Sequence, residues 1–163
     1  MQVNGFQIKQ ELKMIDLTIE ALTNELPNTY SKLPEDTETR NPAVVIEELV
    51  QAEKKKALYQ AAQAEYNQEV QVVMEDTRTV SLAYVIKLEG VINRMAKIWK
   101  DTAKQDGRSR YGVYEANTKY PVSQVNTKVC LEKIKELTRE SSKLQGLIGV
   151  ANSRQEIINT LGK

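Results

Sequence analysis

The sequence predicts an all-α protein: an elongated antiparallel helical bundle, or coiled-coil hairpins, of four long helices. Three observations predict it. Apolar residues recur at alternating spacings of three and four in four separate stretches of the 163-residue chain, which marks one buried face per helix. Only 7 Gly and 4 Pro are present to break regular structure. The four stretches have similar lengths of about 21 to 32 residues, or roughly 30–48 Å at the α-helical rise, which suits antiparallel packing. A chain of this length supports one core better than two, so residues 1–163 are expected to form a single helical domain.

Residues 6–26 predict the first helix. Ile8, Leu12, Ile15, Ile19, Leu22 and Leu26 alternate spacings of four and three without a miss, the pattern of a coiled-coil seam rather than of a broad globular face. The seam can close within the chain, or it can be shared with a second one. In the second case these six residues are the candidate oligomer contact.

Residues 27–41, PNTYSKLPEDTETRN, predict a flexible polar connector, because Pro27 and Pro34 are poor interior helix residues. Asn41-Pro42 opens the second helix with a favoured N-cap and a Pro tolerated in the first turn. Its stripe runs through Val45, Leu49, Ala52, Tyr59, Tyr66, Val70 and Val73, with small Ala residues between, and Lys54-Lys55-Lys56 reads as a solvated interruption. The run Glu75-Asp76-Thr77-Arg78-Thr79 reads as a turn. A short β-pair fits near 72–80 or near 111–122.

Residues 79–105 predict the central helix, with Val85, Leu88, Ile92, Met95 and Trp99 on one stripe and the chain's only Trp expected in the core. Residues 106–122 break the pattern, beginning with the turn signal Asp106-Gly107. Ser123 is the expected cap of the fourth helix, whose stripe begins at Val129 or Cys130 and continues through Ile134, Leu137, Ser141, Leu144, Ile148 and Ala151. Ile157, Ile158 and Leu161 are expected to add a last apolar turn.

Composition excludes several function classes. There is no His, so no imidazole general base, nucleophile–His pair or His metal ligand exists. One Cys permits no intramolecular disulfide and makes zinc a poor fit, so no cofactor and no metal are expected. No apolar run approaches the ~20 residues of a membrane span, and the N-terminus lacks the form of a signal peptide. The expected location is the cytoplasm, or a virion if the chain is phage-encoded. No Gly-rich phosphate loop, dinucleotide fingerprint or paired-carboxylate pattern is present, and the chain is not expected to be an enzyme.

The order of segments resembles a small helical family of bacterial and prophage-encoded proteins, some labelled septicolysin. Asn41-Pro42 with Glu47-Glu48-Leu49 is similar to that family's second-helix opening, and Glu75-Asp76-Thr77-Arg78-Thr79 resembles its acidic hairpin. Arg110-Tyr111, Glu115, Leu144, Ile148, Ala151-Asn152 and Glu156-Ile157 resemble its last loop and helix. The likeness spans about three-quarters of the chain. Thr77 stands where Gly is usual, and Ser153 where Trp is expected. The resemblance implies a helical fold and brings no catalytic residues. Its toxin-like label implies pore formation, which no feature of the sequence supports.

The function expected from these readings is that of a non-enzymatic structural or assembly protein. It would act through coiled-coil contacts with copies of itself or other helical chains, with a phage-type particle as one concrete form. An alternative is a nucleic-acid-associated protein using Arg94, Lys97, Lys100, Lys104, Arg108 and Arg110 as phosphate contacts. Against Asp101 and Asp106 these give 6 − 2 = +4 over residues 94–110, although the whole chain is only +1, so such binding would be weak. A second alternative is a membrane-active protein that opens its helices onto a bilayer. Cys130 reads as a small core hydrophobe. Glu47-Glu48 and the acids of 35–38 read as helix-start and loop residues rather than as a cation site.

Overall fold

The computed structural model describes residues 1–30, 40–104 and 127–162. The fold is all-α with short antiparallel strand pairs. Strand β1 (Gln2–Val3) leads into helix α1 (Gly5–Thr29), followed by α2 (Pro42–Glu69), β2 (Gln71–Val73), β3 (Thr79–Ser81), α3 (Leu82–Lys104), α4 (Thr127–Asn152), β4 (Glu156–Ile157) and a 3₁₀ turn at Asn159–Gly162. The described residues fall into two compact units, Met1–Leu82 with Val150–Lys163, and Ala83–Gly149. No helix among the described residues is long and apolar enough to cross a membrane.

In the first unit, α1 begins one residue earlier than the sequence predicts. Asn4 caps it by accepting from Gln7 N at 2.9 Å, while the Gln7 side chain accepts from Asn4 N at 2.9 Å, which satisfies two end donors reciprocally. The helix also runs three residues further, to Thr29, with Pro27 inside it. In the last turn, Pro removes one backbone bond without blocking a continuing ladder. Side chains then serve the turn's carbonyls: Thr29 Oγ1 donates to Leu26 O at 2.7 Å and Asn28 Nδ2 to Asn24 O at 3.5 Å. The expected connector therefore starts later, and residues 31–39 of it lie outside the described residues.

Helix α2 starts as predicted, with Asn41 accepting from Ala43 N at 2.9 Å and Pro42 in the first turn. It packs against α1 and runs antiparallel to it. Ion pairs link Glu11 to Lys55 (3.3 Å), Asp16 to Lys56 (2.8 Å) and Glu25 to Arg40 (3.3 Å). The triplet Lys54-Lys55-Lys56 thus lies on the solvated side and reaches partly back to α1.

The strand pair at 71–73 and 79–81 is the one expected near 72–80. Val72 faces Val80 in the register. The turn closes with Thr77 N donating to Met74 O and Met74 N to Arg78 O, both at 2.9 Å. Thr77 has φ 67°, the left-handed conformation that is costly for a β-branched residue. The alternative strand site at 111–122 lies outside the described residues, as does Ser123.

Residues 153–161 depart from the predicted helical turn. Glu156–Ile157 pair antiparallel with Gln2–Val3, and Ile158 N donates to Met1 O at 2.9 Å. Ile158 is fully buried while Ile157 is 70% exposed. A strand alternates its side chains between faces where a helix would have grouped them.

In the second unit, α3 and α4 form an antiparallel pair joined by a polar cluster. Glu89 Oε1 accepts from Asn93 Nδ2 (2.6 Å) and Gln145 Nε2 (2.8 Å), and Ser141 Oγ lies 2.8 Å from Asn93 Oδ1. The Gln145 bond, followed by those from Asn93 and Ser141, holds the Glu89 carboxyl below its ordinary pKa. Such a cluster at a helix seam fixes register more than it adds stability. Val85, Ile92, Cys130 and Leu144 are buried. The expectation for Trp99 is corrected: it is only half-buried, and Met95 on the same predicted stripe is 45% exposed. Met95 lies about 80° around the helix from Val85, so the pairing with α4 on the Glu89–Asn93 side leaves it at the open edge.

Candidate interaction surfaces

The predicted seam of α1 lies against α2 of its own chain. Ile8, Ile15 and Leu22, seven residues apart, are buried, and Thr29 continues the series. Leu12, Ile19 and Leu26, on the alternate layer, are half-buried. Helix α2 covers them because it presents its own stripe, from Val45 to Tyr66, to the same line. Of the six residues read as a candidate contact between chains, Ile8, Ile15 and Leu22 thus belong to the hairpin's own core and Leu12, Ile19 and Leu26 lie at its edge.

At the end of this hairpin the fully buried Tyr66 acts as a tie. Its hydroxyl lies 2.8 Å from Ala151 O and 2.9 Å from Arg154 O, to which its single proton is donated. Burial pushes the phenol pKa up, so the group stays a neutral hydrogen-bonder. On the preceding residue, the Glu65 carboxylate accepts from Asn159 N (2.7 Å), Thr160 N (3.0 Å) and Thr160 Oγ1 (2.5 Å). The Thr160 hydroxyl bond, then the backbone bonds, hold its pKa below the ordinary value. These groups cap a 3₁₀ turn and tie the chain's end to α2. Among the described residues, no group of three or more Cys, Asp or Glu is placed to hold a metal ion.

Among the described residues, α3 and α2 each carry an outer face that remains apolar. On α3, Val91, Met95 and Ile98 are 44%, 45% and 61% exposed and lie within about 60° of one another around the helix. Lys87 and Arg94 lie along one edge of this arc. On α2, Ala43, Ile46, Val50, Ala57, Ala61 and Ala64 are all exposed and follow a line opposite the stripe that packs on α1.

The structure places Arg94, Lys97 and Lys100 exposed on α3, Arg94 beside its apolar arc and Lys97 and Lys100 on the side away from it. Lys104 closes the helix. Arg108 and Arg110 lie outside the described residues. The near-neutral total hides an uneven split. The described part of the second unit has ten Lys and Arg against five Asp and Glu, net +5, and that of the first unit has eight against twelve, net −4.

No family model matches the chain, and no curated protein matches it. The fold is that of the crystal structure of a functionally unknown conserved protein from Corynebacterium diphtheriae. The likeness has a TM-score of 0.77 at 14% identity and covers 96% of this chain and 100% of that one. At that identity the likeness is one of fold.

Proposed function

We propose that the protein is a non-enzymatic helical assembly protein that works through helix–helix contacts with other chains, copies of itself included, as in a phage-type particle. The exposed aliphatic stripe Val91, Met95 and Ile98 on α3 carries the reading. Isolated apolar residues on a surface mean little, whereas a contiguous stripe bordered by charge marks a contact face. The test is sedimentation velocity on wild type and on Met95→Glu combined with Ile98→Glu, at matched concentration. Wild type is expected above the monomer mass, and the double variant lighter while still folded by circular dichroism. Identical masses for the two would refute a role for α3.

A second reading has one observation in its favour, the net +5 of the described second unit. Exposed Arg94, Lys97 and Lys100 could then contact phosphates, with retention on DNA that falls steeply with salt. Retention at low salt that is lost with a steep salt slope would favour it, and no retention at low salt would refute it.

A further inference from the structure

We infer that the outer face of α2 pairs with the same face of a second copy, antiparallel, with the two-fold axis passing between Glu53 and Lys54. The inference rests on the assembly reading and names the partner of a different face. Exposed Ala alone would mean little, since Ala is the best helix former. This line also holds Ile46 and Val50, 42% and 45% exposed, on the side of the helix opposite its buried stripe. A helix apolar on two opposite faces needs cover on both.

The sequence along this line is self-complementary. Its large residues, Ile46 and Val50, occupy the N-terminal half, and its small ones, Ala57, Ala61 and Ala64, the C-terminal half. An antiparallel pair centred between residues 53 and 54 sets Ile46 against Ala61 of the second copy, Val50 against Ala57 and Ala43 against Ala64. Large meets small in each layer containing Ile46 or Val50, which lets the helices approach closely. The stripe's interruption falls at Glu53-Lys54, which sits on the axis. Each Glu53 then meets the other copy's Lys54, and the two charges that break the line become two ion pairs across it. Among the described residues neither Glu53 nor Lys54 closes an ion pair within its own chain, and Glu53 acts on Lys56 only at longer range. An isologous contact of this kind closes at two copies. A parallel pairing would stack Glu53 on Glu53 and lose the size match.

The test is the dimer dissociation constant from sedimentation equilibrium, for Glu53→Lys, Lys54→Glu and the two combined. It is run in the wild-type chain and again with Met95→Glu and Ile98→Glu, which removes the α3 face. Each single reversal is expected to raise the constant about tenfold or more, because it sets like charges together. The combined reversal is expected to return it close to the starting value. In the α3-altered chain the dimer is expected to persist and to respond to the charge changes in the same way. An α3-altered chain that is monomeric at every concentration would overturn the α2 pairing and leave the α3 reading standing. A dimer indifferent to both single reversals would also overturn it, and a wild type that never associates would refute both readings.

Discussion

A Cβ on Gly5 would stand 2.1 Å from Asn152 Oδ1 and 2.9 Å from Tyr66 Cε1. The first turn of α1 thus reaches the end of α4 and the buried phenol only because residue 5 has no side chain. Asn152 is itself 2% exposed, and its Oδ1 has no hydrogen-bond partner, so it has little room to withdraw. Gly5→Ala is expected to destabilise the fold by about 1–3 kcal/mol, the usual range for overpacking, measured by urea unfolding. An unchanged midpoint would show that Asn152 swings away freely.

Tyr66→Phe keeps the ring and removes the tie. The carbonyls of Ala151 and Arg154 then lose their common partner. A cost of about 1–3 kcal/mol follows from leaving such groups unsatisfied. A neutral substitution would mean that water replaces the hydroxyl.

Thr77 holds a left-handed conformation at the hairpin tip. Thr77→Gly relieves that strain and loosens the unfolded chain, two opposed effects. The strain is the larger for a β-branched residue, so a gain of about 0.5–1 kcal/mol is expected in thermal unfolding. A loss would place the turn in another conformation in solution.

Glu65 gives a pH dependence of known sign. Its folded pKa lies below the ordinary 4.5, chiefly through the Thr160 hydroxyl. Its contribution is therefore present above the unfolded value and is lost as pH falls through the folded one. Wild type is expected to be more stable than Glu65→Gln at neutral pH, with the difference shrinking below pH 4.5. A pH-independent difference would detach the carboxylate from the 3₁₀ turn.

Much of the fold was legible because its signals are local. The unbroken seam from Ile8 to Leu26, the Asn41-Pro42 start and the turn at Asp76-Thr77 each lie within one segment, and each appears where the sequence predicts it. The pairing of Gln2–Val3 with Glu156–Ile157 was not legible. Each strand has two residues, too few for alternation to show, and its bonds join the two ends of the described chain. The partners of Tyr66 are backbone groups, which carry no side-chain signal. Trp99 was misplaced because periodicity gives the direction of a face but not how far a neighbouring helix covers it. The outer line of α2 was not legible, because the sequence shows its Ala residues only as small residues between the members of the Val45–Tyr66 stripe, and periodicity does not say that the opposite side stays uncovered.

The mass of the wild-type chain in solution tests the central claim most directly. Sedimentation equilibrium is run from about micromolar to about a hundred micromolar, the range in which modest helix contacts dissociate. The account predicts a mass that rises with concentration from the 18.5 kDa of one chain to at least twice that value. A mass that stays at one chain throughout would contradict it.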